Sequence, residues 1–191
     1  MLRLRTPGPG AVSLLREAQG AALLEFAITL PLLVVFVVGI FDFSGAYNQT
    51  QKIEQAAQEG AIIAGAQPMS DIASSNTNPD SLQPVVTAVF NSLAASGVVT
   101  KGTCAPPGTA AHSGSNLKWK YTISPCPDDL TITIDRGWVS ASSSPAAVGS
   151  MVTVSYPYHW RFNSVIQLLF PGAAYAAITN LTESATVQNQ M

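Results

Sequence analysis

Residues 21–40 read AALLEFAITLPLLVVFVVGI, and Glu25 is the only ionisable side chain among those twenty. As a helix rising 1.5 Å per residue, such a run extends about 30 Å, the thickness of a bilayer's hydrocarbon core. A core helix of a soluble domain seldom stays apolar on every face for that length. The run is therefore read as a membrane-spanning helix. Composition agrees: only 10% of residues are charged, against roughly 25% in soluble domains. With 47% hydrophobic residues, the chain is not a disordered charged tail. A net charge of −2 argues against a nucleic-acid partner.

Charge placement gives the orientation. Residues 1–20 hold Arg3, Arg5 and Arg16 against Glu17, a surplus of +2, whereas the remainder carries −4. A basic arm before the apolar run and an acidic body after it predict a cytoplasmic N-terminus and an exported C-terminal part.

Three kinds of N-terminal segment share this outline. A cleaved secretory signal has a shorter apolar stretch, of about 7–15 residues, and a small-residue cleavage site; Ser44-Gly45-Ala46 is such a string. A simple signal anchor fits the length but gives no reason for Glu25, since an acidic group near the centre of a membrane helix costs roughly 3 kcal/mol. The third kind supplies the reason. Gln19-Gly20-Ala21-Ala22-Leu23-Leu24-Glu25-Phe26 closes the basic leader with glycine and places glutamate fifth after it, and so resembles the cleavage region of a type IV prepilin-like protein. Glycine lets the backbone lie extended across a peptidase site. A cut between Gly20 and Ala21 removes the leader, keeps the whole apolar helix, and creates an amino group one helical turn from Glu25. Pairing with that cation, or with its equivalent on a neighbouring subunit, offsets the burial of the carboxylate. The plainer reading is a glutamate that snorkels to water from the first turn.

The stretch GAALLEFAITLPLLVVFVVGIFDFSGAYNQTQKIEQAAQEGAIIAGA, residues 20–66, resembles the N-terminal region of TadE-like proteins of the tight-adherence (Flp) pilus system. The features that carry the resemblance are Glu25-Phe26-Ala27, Leu30-Pro31-Leu32-Leu33, Gly39-Ile40, Tyr47, Ala56-Ala57 and Glu59-Gly60-Ala61. Ile62 stands where that family often has arginine. The resemblance implies a pseudopilin or minor-pilin-like component of pilus assembly. Its implied partners are a prepilin peptidase, other pilin-like subunits, the inner-membrane assembly platform and the membrane, with incorporation into the fibre or at its tip as one destination.

The expected organisation is a leader at 1–20, a membrane helix at 21–41, its continuation at 42–66, and an exported α+β domain at 67–191. Ile53, Ala56, Ala57, Gly60, Ala61 and Ala64 recur on one helical face made of small residues, with Lys52, Glu54 and Glu59 outside it. That face packs either on its own domain or on another subunit. Pro31 lacks an amide hydrogen, so it removes the bond to the Ala27 carbonyl and should kink the membrane helix.

Gln67-Pro68 and the polar stretch 71–80 break the helix. Asn78-Pro79 reads as an N-cap and first turn of a second helix. Its apolar face is Leu82, Val85, Val86, Val89, Phe90 and Leu93, and it ends near Gly97. A long loop is expected at 101–116. Alternation then marks strands at Leu117, Trp119, Tyr121, Ile123; at Leu130, Ile132, Ile134; and at Val152, Val154, Tyr156, with a fourth at 181–187. The fold class is α+β: a long pilin-like transmembrane helix, a short helix, and a small antiparallel sheet of about four strands.

Cys104 and Cys126 are the only cysteines. In an exported domain they are expected to form a disulfide. A catalytic thiol would need a base, and the only histidines are His112, in a Gly/Ser-rich loop, and His159, after a strand; no nucleophile elbow, Walker loop, HExxH or dinucleotide fingerprint occurs. No enzyme, cofactor or metal is expected. Asp128-Asp129 reads as a solvated turn rather than a calcium loop. Tyr156, Tyr158, Trp160 and Phe162 form either core at a sheet end or an exposed patch, and Val165-Ile-Gln-Leu-Leu-Phe170 either core or a contact with a partner or the membrane. The sequence thus supports a structural pilus-assembly protein. The alternative is a signal-anchored periplasmic binding domain or enzyme unrelated to pili.

Overall fold

The computed structural model describes residues 9–72, 78–100, 102, 104–106, 108–140, 147–162, 167, 172 and 178–190, with side chains, Pro125 apart, from residue 20 onward. One helix, α1, runs Pro9–Ala66. A 3₁₀ turn at Asp80–Leu82 leads into α2, Gln83–Ala95. Five strands follow: β1 Thr109–His112, β2 Lys118–Cys126, β3 Asp128–Val139, β4 Val148–His159 and β5 Ile178–Gln188. They form one antiparallel sheet in the order β1-β2-β3-β4-β5. This is the expected α+β class, with a fifth strand.

The chain divides into two compact units, residues 1–43 with 161–175, and residues 44–160 with 176–191. In the first, α1 presents Leu23, Leu24, Phe26, Ile28, Phe36, Ile40, Phe41 and Phe43 to the outside. It is long and apolar enough to cross a membrane.

The second unit holds the core. Ile53, Ala56, Ala57, Ala61 and Ala64 of α1 are fully buried against Val85, Val86, Val89 and Leu93 of α2 and the inward side chains of the sheet. Those inward positions are Trp119, Tyr121, Ile123, Leu130, Ile132, Ile134, Val152, Val154 and Tyr156, the alternate residues of three strands. At Gly60 the approach is closest: a β-carbon there would lie 2.5 Å from Val89 Cγ2 and 3.3 Å from Val152 Cγ1. The small-residue face of α1 is thus occupied by its own domain.

Two elements differ from expectation. α2 starts at Gln83, not at Pro79. A helix begun at Pro79 would put Pro84 where an amide hydrogen is needed. The chain instead makes a 3₁₀ turn, Leu82 N–H to Pro79 O at 3.2 Å, and leaves Pro84 in the first helical turn, where its missing hydrogen costs nothing. α2 ends as expected. Gly97 adopts φ +74°, its N–H bonds Ala94 O at 3.3 Å, and Val98 N–H bonds Leu93 O at 2.9 Å, the paired closure of a Schellman motif.

The second difference is β1, which lies in the expected loop at 101–116. Its four residues, Thr-Ala-Ala-His, have no alternation of their own; pairing with β2 defines them, Ala110 opposite Tyr121 and His112 opposite Trp119. His112 is therefore a strand residue, its ring 3.8 Å from that of Trp119, and not a loop residue.

Candidate functional site

Gly20, Ala21, Glu25, Phe26 and Pro31 all lie on α1. The first four are exposed and Pro31 is half-buried. Around Gly20 the space is open: a β-carbon would meet nothing within 4 Å. Glu25 follows Ala21 by four residues, so both stand on one face. Its carbonyl accepts a hydrogen bond from Thr29 Oγ1 at 2.7 Å, a local back-bond to the helix.

Where the apolar run ends, Asp42 is only 5% exposed. Its Oδ2 accepts the backbone N–H of Phe162 at 2.7 Å, across 120 residues of sequence. The Phe162 ring reaches to 4.0 Å from a β-carbon built on Gly39. Sequence alone marks Asp42 only as the first charge after the membrane run. Of the apolar stretch 165–170, only Gln167 is among the described residues, so its role lies outside them.

In the second unit the cysteines are bonded, Cys104 to Cys126, with Cα atoms 4.9 Å apart. Cys126 is fully buried at the end of β2, and its carbonyl accepts the Tyr156 hydroxyl at 2.9 Å. Burial, with Asp128 adding to it, pushes the Tyr156 phenol above its ordinary value. Of the aromatic cluster, Tyr156 is thus core. Trp160 Nε1 donates to Thr179 Oγ1 at 2.8 Å, and Tyr158 packs edge-on to Trp160 with centroids 5.0 Å apart. Asp128 opens β3 rather than lying in a free turn, and its Oδ2 sits 2.7 Å from His159 Nε2.

A polar node closes the other end of this unit. Arg136 is 1% exposed on the inward face of β3, and Nη2 donates to Gln67 O at 2.8 Å. Among the described residues its Nε and Nη1 find no hydrogen-bond acceptor. Burial accordingly pulls the guanidinium below its ordinary value, and the Asp71 carboxylate works against that shift. Asp71 accepts the Ser81 N–H at 2.9 Å. Burial alone raises the Asp71 carboxyl; its hydrogen bonds, Ser81 foremost, outweigh that and hold it below the usual range. The same carboxylate, after burial itself, raises the Tyr121 phenol. Trp119 Nε1 adds a long bond to Ile72 O, 3.4 Å. Together these fasten the segment after α1 onto the sheet. Within the node Arg136 Nη2 and Asp71 Oδ2 are each hydrogen-bonded, while among the described residues Arg136 Nε and Nη1 and the Tyr121 hydroxyl have no hydrogen-bond partner.

Among the described residues no group of three or more His, Cys, Asp or Glu converges as a metal site requires. Residues 20–61 match the family model of TadE-like proteins. No curated protein and no solved structure matches the chain. The match takes in the apolar run and the small-residue face as far as Ala61, and it leaves α2 and the sheet outside. Over residues 20–61, the N-terminal helix of this protein is similar to the TadE-like family.

Proposed function

We propose that this protein is a component of tight-adherence (Flp-type) pilus assembly, made as a prepilin-like precursor and acting as a pseudopilin or minor pilin. One observation carries the reading: the TadE-like match begins at Gly20, the residue that closes the basic leader, and takes in Glu25 and Phe26. In this reading the leader stays in the cytoplasm, the helix spans the inner membrane once, and the body is periplasmic. A prepilin peptidase cuts between Gly20 and Ala21. Glycine is about 1 kcal/mol worse than alanine within a helix, so Gly20 lowers the cost of opening α1 at that point. The new amino group of Ala21 then pairs with Glu25. Outward apolar side chains at 23–43 pack against other pilin-like helices on the inner-membrane platform as subunits leave the bilayer. Because the small-residue face at 53–64 is occupied by the protein's own core, inter-subunit packing falls to the first half of α1.

The decisive measurement is the intact mass of protein extracted from membranes of cells that carry the matching peptidase. Loss of residues 1–20 is the expected result. A retained leader returns the protein to a plain anchor, and a new terminus near Tyr47 makes it a secreted protein.

A further inference from the structure

We propose that Arg161 and Phe162 form a second contact with the bilayer, at the surface where α1 leaves it, and that Asp42 holds them there. The inference rests on the membrane-spanning reading of α1. Three observations point the same way. Asp42 is almost wholly buried, and it accepts the Phe162 N–H at 2.7 Å. In water neither group needs the other; beside hydrocarbon an unmatched carboxylate or amide costs several kcal/mol, so mutual satisfaction is what a site at the membrane edge requires. The Phe162 ring lies against α1 at Gly39, on a stretch whose other large side chains, Phe36, Ile40, Phe41 and Phe43, are all exposed. A surface continuous with a membrane-spanning one meets the same lipid. Arg161 is exposed beside it. Its long stem suits an interfacial position, with the guanidinium at the phosphate level and attracted to anionic headgroups. In sequence the next eight residues, NSVIQLLF, carry no charge.

The occupant is thus a lipid surface rather than a second protein. The test uses the full chain in nanodiscs of phosphatidylethanolamine and phosphatidylglycerol, with the photo-crosslinker p-benzoylphenylalanine placed in turn at Phe36, Phe162 and Val139. Lipid adducts, read by mass spectrometry, are expected at positions 36 and 162 and not at 139, on β3. Adducts at 36 without any at 162 overturn the second contact while leaving the span intact; none at 36 removes the span and the contact together. Protein-protein adducts in place of lipid at 162 also overturn it. In Asp42→Ala the lipid yield at 162 should fall about tenfold, the worth of one hydrogen bond to a charged group, while the yield at 36 persists. An unchanged yield at 162 removes Asp42 as the holding residue.

Discussion

Arg136 Nη2 and the carbonyl oxygen of Gln67 lie 2.8 Å apart, joining the sheet's interior to the residue that follows α1. Because the guanidinium is buried and only partly matched, replacing it with a smaller apolar group does two opposing things. It removes a desolvated cation, and it leaves Gln67 O and the Asp71 carboxylate without their cationic neighbour. Arg136→Ala adds a cavity to these losses, so it should lower stability by about 3 kcal/mol or more. Arg136→Met fills the space without the charge and should cost about 1 kcal/mol. Urea unfolding followed by Trp fluorescence in detergent distinguishes them. Equal losses for Ala and Met would mean that the charge, not the volume, matters.

Acid should act through Asp71. Its carboxyl is held below the ordinary 3.8 in the folded chain. A carboxyl depressed on folding contributes stability that is fully present above its unfolded value and lost as pH falls through the folded one. Stability from this group should be level from neutrality down to about pH 5 and decline below about pH 4. Asp71→Asn should be less stable at neutral pH and flatter on the acid side. Parallel acid limbs for the two proteins would show that the Ser81 contact contributes nothing.

Much of this fold is legible in the residues. The period-two rows from Trp119 to Ile123, Leu130 to Ile134 and Val152 to Tyr156 mark three strands and their buried faces. The same row extended one step puts Arg136 inward, beside Ile134, so the buried cation was present in the pattern. β1 was not, because Thr-Ala-Ala-His takes its form from β2 alone. Nor was the start of α2, where Pro79 and Pro84 are both good first-turn residues and only the whole-helix hydrogen bonding chooses between them. The partner of Asp42 lies 120 residues away and has no local signal. At the proposed processing region, by contrast, the residues that carry the reading are contiguous, from Gly20 to Phe26.

Gly60 gives a steric prediction. Alanine gains about 1 kcal/mol of helix propensity over glycine. Here its β-carbon would come within 2.5 Å of Val89 Cγ2, and overpacking of that kind costs about 1–3 kcal/mol. Gly60→Ala should therefore be neutral to destabilising, and Gly60→Leu should lose the folded body. Ile62→Arg, two residues on and 62% exposed, should stay within about 0.5 kcal/mol of the parent. A Gly60→Leu variant with an unchanged melt would mean α1 does not pack on α2 as described.

The disulfide closes a loop between residues 22 apart. Chain-entropy arguments assign such a bridge about 3 kcal/mol. Cys104→Ala with Cys126→Ala should lower the unfolding free energy by about that amount while the sheet still forms, since Leu130, Ile132 and Ile134 keep their burial. In the oxidised parent, neither thiol should label with a maleimide until a reductant is added. Rapid labelling of both in folded, unreduced protein would remove the bridge.

Glu25 separates cleavage from assembly. Glu25→Gln keeps size and hydrogen bonding and removes only the charge. If the carboxylate serves as counter-ion to the amino group of Ala21, the substitution should leave insertion intact, because a neutral side chain enters hydrocarbon more easily than a charged one. Cleavage should survive as well, since the cut lies five residues earlier in the chain. Assembly should fail, because an unpaired ammonium in a helical bundle costs several kcal/mol, enough to shift an association equilibrium by more than about a hundredfold. Glu54→Gln, on the exposed side of α1 where its carboxylate accepts a hydrogen bond from Gln58 Nε2, should change pilus yield little. The readouts are the mass of the membrane-extracted protein and the count of surface pili in cells otherwise wild type. Normal pili with Glu25→Gln and a processed terminus would reduce Glu25 to a residue that snorkels at the membrane edge.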